Sequence, residues 1–220
     1  MGHSNLRKTG MTAALITAAE DHLCQADARL AALIQRHGPC TLTRSRRDPF
    51  HVLCNAIISQ QLSVKAADTI LKRVMVRANE SKRLTPDQVL GITPVELRAC
   101  GLSNAKAKWL HGISTQVQSG EFSFTRLKKM DDVTATAALD ALPGVGLWTA
   151  EMYVIFALHR LDIFSMGDVG LRRSLDRLHN NGRKLSDART LKITQAWAPY
   201  RSVGSWYLWK MADGDIEAWQ

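Results

Sequence analysis

The stretch Leu142-Pro143-Gly144-Val145-Gly146-Leu147-Trp148-Thr149-Ala150 decides the fold. It interrupts two helical patterns. Pro143 ends the first. Gly144 and Gly146 permit backbone angles and close approaches that a Cβ would block. The next helix starts at once, with Trp148, Thr149 and Ala150 in its first turn. The free amides of such a turn, together with the helix dipole, can hold a phosphate without a side chain touching it. A contact of that kind is blind to base sequence. The same residues would also serve as an ordinary helix–helix turn, so the surroundings must decide.

Outward from the hairpin the chain is helix after helix. From Thr12 to Gln35, Leu15, Ala19, Leu23, Leu30, Leu33 and Ile34 follow a period near 3.6. Asp48-Pro49 opens a helix in which Phe50, Leu53, Cys54 and Ile57 share a face. Ser63 is a candidate N-cap for Ala67, Ile70, Leu71 and Val74. Thr85-Pro86-Asp87-Gln88 and Thr93-Pro94-Val95-Glu96 are capping boxes with Pro at the first helical position. Further stripes run through Ala105–Ser114, Val133–Leu142, Trp148–Leu158, Val169–Leu178, Ala188–Trp197 and Ser202–Met211. Short turns such as Gly101–Lys106 and Ser119–Phe124 join them, and the basic stretch Arg44-Ser45-Arg46-Arg47 is expected to be a loop. No run alternates strictly, so strands are few or absent. The expected class is all-α, with about ten helices.

The 220 residues suit one domain or two close-packed subdomains, and 45% hydrophobic content is ordinary for a buried core. No run approaches the roughly 18 apolar residues of a membrane span. The N-terminal Met1–Gly10 lacks the apolar core of a secretory signal. Cys24, Cys40, Cys54 and Cys100 form no Cys-x-x-Cys pair, which argues against zinc and iron–sulfur sites and for reduced thiols. A net charge of +9 attracts polyanions, nucleic acid first among them.

With these blocks in place, the chain resembles the helix-hairpin-helix (HhH-GPD) DNA glycosylase superfamily. Within it, the alkylbase branch of the 3-methyladenine DNA glycosylase II type is most similar. Leu142–Ala150 looks like its hairpin. Ile57–Ala67 resembles its segment that probes DNA beside the lesion, and Gly101–Leu110 its central helix start. Phe164–Leu175 resembles its catalytic segment, and Trp197–Trp209 its C-terminal helix. The resemblance implies a two-lobed helical fold with an active-site cleft between the lobes. One lobe would hold 48–160 with the hairpin at 142–150, the other 1–47 plus 161–220. Only the minimal helical form is expected, without the N-terminal β-rich domain of some relatives. The implied partner is double-stranded DNA carrying a damaged base that is flipped out of the stack. The protein would act as a monomer, away from membranes, in the nucleoid-containing cytoplasm of a bacterium or the nucleus of a eukaryote.

The resemblance also assigns residues. Asp168 stands where the family has its catalytic aspartate. An Asp there is also a favoured N-cap, and the same helix N-terminus favours its ionised form. A fixed carboxylate would stabilise the positive charge that develops on the sugar as the N-glycosidic bond breaks, and would orient water. Asp162, Asp176 and Glu151 are weaker rivals. Bifunctional relatives carry a Schiff-base lysine at the seventh hairpin position; here it is Trp148, so no lyase step is expected. The four-cysteine cluster of some relatives is absent, since no cysteine follows Cys100.

Trp148 and Trp209 match aromatic pocket positions, where an indole face attracts a cationic alkylated purine. Met152 stands where some relatives have tyrosine. Trp197 and Trp206 are expected in the core. Gln60, Gln61, Leu62 and Ser63 are candidates for DNA contact, with Gln61 at the position of the wedge residue; the lesser alternative is an N-cap turn with solvated glutamines. Gly144, Val145, Gly146, Thr149 and Ala150 complete the expected DNA-binding set. Main-chain carbonyls of Asp140, Leu142 and Val145 correspond to a family site for a monovalent cation; no other cofactor is expected. Arg172, Arg173, Lys106 and Lys108 are either phosphate contacts or simply solvated charges. Two further readings stay open: a glycosylase for a deaminated or mismatched base, and a non-catalytic DNA-binding module.

Overall fold

The computed structural model describes residues 12–42, 48–79 and 82–213. The Met1–Gly10 stretch and the Arg44–Arg47 loop lie outside them. Among the described residues there are thirteen α-helices and no strand. The excess over about ten helices has two local causes. The Thr12–Gln35 stripe is broken in two at Asp27. A four-residue helix, Phe124–Leu127, sits where only a turn is expected, because four residues are too few to display a period. No described helix is long and apolar enough to cross a membrane.

The chain divides into two compact units, one made of 1–45 and 154–220, the other of 46–153. The first holds α1 (Ala13–Ala26), α2 (Ala28–His37), α11 (Val169–Asn180), α12 (Asp187–Gln195) and α13 (Arg201–Asp213). Helix α13 packs against α1, α2 and α11, which explains why all its residues from Ser202 to Leu208 are buried. Its serines are paired: the Ser202 hydroxyl accepts the Ile163 amide at 3.0 Å, and the Ser205 hydroxyl donates to the Arg201 carbonyl at 2.8 Å. Trp197 and Trp206 are fully buried, as expected.

Asp27 organises this unit. It ends α1 and caps α2, its Oδ1 accepting the Arg29 and Leu30 amides at 3.0 and 3.2 Å. Its Oδ2 accepts the Trp197 indole N–H at 2.9 Å and lies 3.0 Å from His179 Nε2. Burial alone would raise the Asp27 carboxyl. The bonds from His179 and Trp197, the His179 charge and the Leu30 amide outweigh it and hold the group below the ordinary aspartate value.

The second unit holds α3 (Pro49–Ser59), α4 (Val64–Arg77), α5 (Pro86–Leu90), α6 (Pro94–Ala99), α7 (Asn104–Gln118), α8 (Phe124–Leu127) and α9 (Asp132–Asp140). It also holds the start of α10 (Leu147–Phe156). Both capping boxes form, each with the threonine hydroxyl and the Gln88 or Glu96 side chain exchanging bonds with the backbone. Helices α5 and α6 pack on α7, and α3 packs on α4 and α7, enclosing Leu53, Ile57, Ile58, Leu97 and Leu110.

Between α9 and α10 runs the hairpin. The Leu142 amide donates to Leu139 O at 3.0 Å, and the Val145 amide to Leu142 O at 3.1 Å. Gly144 has φ +74°, and a Cβ there would fall inside the Trp109 ring of α7. Gly146 differs from the expectation: its φ is not left-handed, and a Cβ would meet nothing within 4 Å. Only the first of the two glycines is demanded by the fold.

Gly144→Ala should therefore cost about 2–4 kcal/mol, combining a left-handed alanine with an overpacked contact. Gly146→Ala should stay within about 0.5 kcal/mol, as surface substitutions do; urea unfolding of both variants checks the contrast. Asp27→Asn should cost on the order of 2 kcal/mol at neutral pH. Because the folded carboxyl is depressed, its stabilisation is complete above an unfolded value of about 3.9 and is lost as pH falls through the lower folded value. Denaturant titrations from pH 7 to 2 should show the gap between wild type and Asp27→Asn closing only below about pH 4.

Candidate functional site

The hairpin turns a mixed face outward. Leu142 and Val145 are buried anchors, and Thr149 and Ala150 are buried in the first turns of α10. Gly146, Leu147 and Trp148 are exposed, the Trp148 side chain belonging to a residue 41% exposed. Val145, Thr149 and Ala150 thus point their side chains into the protein. Their backbone is covered too, with the Val145 amide on Leu142 O at 3.1 Å and the Ala150 amide on Gly146 O at 3.0 Å, so the outward part of the turn is Gly146, Leu147 and Trp148. Met152, one turn further along α10, is buried at 2% exposure.

The turn between α3 and α4 lies in the same unit. Ser63 is the N-cap of α4, its hydroxyl accepting the Ala66 amide at 3.3 Å. Gln61 is exposed with φ +59°, and Leu62 beside it is 41% exposed. Gln60 does not share their outlook. Its carboxamide donates to the Gly144 carbonyl at 3.0 Å and the Thr149 hydroxyl at 3.3 Å. A side chain expected to face DNA instead ties the turn to the hairpin.

Two of the basic candidates are also committed inside the protein. Lys106 Nζ donates to the Ile58 and Gln60 carbonyls at 2.8 and 2.6 Å. Arg172 donates to Leu185 O at 3.3 Å and pairs with Asp187 at 2.8 Å. Neither is a simply solvated charge. Arg173 and Lys108 are exposed.

In the first unit, Asp168 is the N-cap of α11 and only 8% exposed. Its Oδ1 accepts the Leu171 amide at 2.7 Å. Its Oδ2 accepts the Trp209 indole N–H at 3.3 Å. Trp209 itself is held by Phe156, the ring centroids 5.6 Å apart with a 34° tilt. Asp168 is thus fixed in orientation by one helix end and one indole. For Trp209, expected as an aromatic wall, the structure adds a donor role that no local pattern announces.

The rival carboxylates have structural work. Asp162 takes a two-pronged bond from Arg201 at 2.7 and 3.0 Å. Asp176, buried, accepts the Leu185 amide at 2.9 Å. Glu151 is half-buried on α10. Among the described residues no group of three or more His, Cys, Asp or Glu side chains could hold a metal ion.

Comparison with known proteins places this geometry. The family model described as HhH-GPD superfamily base excision DNA repair protein matches residues 54–199. The alkylbase DNA glycosidase-like protein mag2 of Schizosaccharomyces pombe is 31% identical over 196 residues, 88% of this chain and 92% of that protein. The DNA-3-methyladenine glycosylase 1 of the same yeast is 31% identical over 198 residues, covering 89% and 87%. A crystal structure of DNA-3-methyladenine glycosidase from Bacillus halodurans superposes with a TM-score of 0.80 at 36% identity, covering 87% of each chain. The Schizosaccharomyces pombe 3-methyladenine DNA glycosylase Mag1 in complex with abasic DNA gives 0.77 at 28% identity, covering 92% of this chain and 99% of that one. With an all-helical fold, a glycine-dependent hairpin and a match across two-thirds of its length, this chain belongs to the HhH-GPD superfamily of base excision DNA repair proteins.

Proposed function

We propose that the protein is a monofunctional DNA glycosylase. It hydrolyses the N-glycosidic bond of alkylated purines, 3-methyladenine and 7-methylguanine, flipped out of duplex DNA, and leaves an abasic site. The observation that carries this reading is Asp168, a buried carboxylate with one oxygen on the Leu171 amide and the other on the Trp209 indole. A neutral Ser or Thr could cap α11 equally well, and binding DNA needs neither a negative charge at that helix end nor an indole bonded to it. The names of the relatives and of the superposed structures support the alkylated substrate class.

The chemistry follows from charge. An alkylated purine such as 3-methyladenine is cationic, so its departure needs no strong acid. Breaking the bond moves positive charge onto the sugar, where the Asp168 carboxylate stabilises it and orients the attacking water. The Trp148 indole offers a face to the cationic base, worth roughly 0.5–2 kcal/mol. Trp209 is the further aromatic candidate in this reading; Met152, 2% exposed, would have to shift before it could touch a base. Because Trp148 has no amine, no Schiff base forms and the strand stays intact.

On the DNA side, the first-turn amides of α10 hold a phosphate, with Gly146 leaving room for close approach. Gln61 and Leu62 fill the gap that the flipped nucleotide leaves. The carbonyls of Asp140, Leu142 and Val145 are the groups of this chain that would hold a monovalent cation beside that phosphate. The hairpin fits such a role to the extent that the Leu142 carbonyl, with one lone pair on the Val145 amide, keeps a second. The protein acts as a monomer on damaged duplex.

Asp168→Asn should bind duplex DNA like wild type. It should release 3-methyladenine from methylated DNA at least about 10²-fold more slowly, the scale of a lost charge-stabilising group. Near-wild-type release by the variant would remove Asp168 from the reaction. Wild-type protein treated with borohydride on an abasic duplex should give no covalent adduct; a trapped adduct would overturn the role of Trp148 as the residue that excludes lyase chemistry.

A further inference from the structure

The end of α3 is held by an amine. Helix α3 closes at Ser59, and Gln60 is its C-cap. The last carbonyls of a helix have no partner within it, and they carry the negative end of the dipole. Lys106, in the first turn of α7, reaches across from 46 and 48 residues away to donate to two of them, Gln60 O and Ile58 O, at 2.6 and 2.8 Å. The ammonium is half-buried, and desolvation pulls its pKa below the ordinary lysine value. Two of its three protons are directed at these carbonyls, which ill suits a residue whose task is to meet phosphates.

Just past the clamped carbonyls the chain is strained and exposed. Gln61 holds a left-handed φ of +59° without being glycine, which costs roughly 1–2 kcal/mol. Leu62, with its apolar side chain, is 41% exposed. The Gln60 side chain, meanwhile, runs to Gly144 O and Thr149 Oγ1. Lys106, Gln60 and the hairpin therefore form one chain of bonds, with the Gln61–Leu62 tip projecting from its middle.

We propose that Lys106 is a positioning residue for DNA insertion: by gripping the Ile58 and Gln60 carbonyls it fixes the Gln61–Leu62 tip in register with the hairpin. This rests on the reading of Gln61 and Leu62 as the wedge. The device is mechanical. An inserting side chain must enter the base stack while the hairpin holds the backbone, and a loose α3 end would let the tip relax out of its left-handed turn. Lys106 does this without touching DNA.

The test uses the full chain and a duplex with a tetrahydrofuran abasic site flanked by 2-aminopurine, whose fluorescence rises when a neighbour is unstacked. Four proteins are compared: wild type, Lys106→Met, Lys106→Arg, and the double variant Gln61→Ala, Leu62→Ala. At saturating protein Lys106→Met should lose most of the fluorescence rise, since a tip released from its brace spends most of its time outside the base stack. Its salt dependence of binding should keep the wild-type slope. Lys106→Arg, whose guanidinium can still donate to both carbonyls, should recover most of the rise.

The opposite pattern overturns the proposal: an intact rise in Lys106→Met with a log–log salt slope shallower by about 0.9 is the mark of a lost phosphate contact. If the methionine variant does not fold, Lys106→Ala, which admits water to the two carbonyls, takes its place: a lost rise with the wild-type slope upholds the proposal, and an intact rise overturns it. A folded Lys106→Arg with wild-type melting but no rise also overturns the proposal. The double variant separates the two layers. If it keeps the full rise, the wedge reading itself has failed; if it loses the rise while Lys106→Met keeps it, the wedge stands and the brace falls.

Discussion

The constraint on which the second unit depends is the absence of a Cβ at residue 144. Only there can the chain turn with φ +74° while the Trp109 ring lies against the backbone. The close approach fixes where the Gly144 carbonyl points, and Gln60 takes it. Gln60 in turn ends α3, whose carbonyls Lys106 takes. One missing methyl group thus sets the α9–α10 junction, and through it the α3–α4 junction and the start of α7. Gly146, Leu147 and Trp148 are displayed on a turn that the buried Val145, Thr149 and Ala150 anchor from either side.

Asp168 shows a comparable economy in the first unit. N-capping α11 is a structural act, and it is also what orients the carboxylate. The Leu171 amide occupies one oxygen and the Trp209 indole the other. The three rival acids lack this combination: Asp162 is neutralised by a two-pronged arginine, Asp176 is turned to a loop amide, and Glu151 lies along a helix. The residue that the fold needs as a cap is the one that the proposed reaction would need as a fixed negative charge.

How much of this was legible depended on distance along the chain. The capping boxes at Thr85 and Thr93 formed as expected because their partners lie three residues away. Asp168 was recognisable as an N-cap for the same reason, and Trp197 and Trp206 as core from their place in apolar stripes. The break at Asp27 was hidden because the apolar stripe runs through it; its capping bonds to Arg29 and Leu30 are local, but the Trp197 indole that holds its other oxygen lies 170 residues on. The internal partners of Gln60 and Lys106 lay beyond local reach in the same way. Polar and basic residues beside a DNA-binding motif suggest the ligand, and only the folded chain reveals carbonyls 84 and 46 residues away as their partners. The two hairpin glycines looked equivalent in sequence and are not, because only one has Trp109 behind it.

The proposed function requires this basic, helical protein to perform chemistry on a base and not merely to hold DNA. Wild-type protein incubated with dimethyl sulfate-treated duplex, with the soluble bases then resolved by chromatography, tests it most directly. Free 3-methyladenine and 7-methylguanine should appear, with a matching number of abasic sites in otherwise unbroken strands. Tight binding of that duplex with no base released would contradict the claim and leave a DNA-binding module in its place.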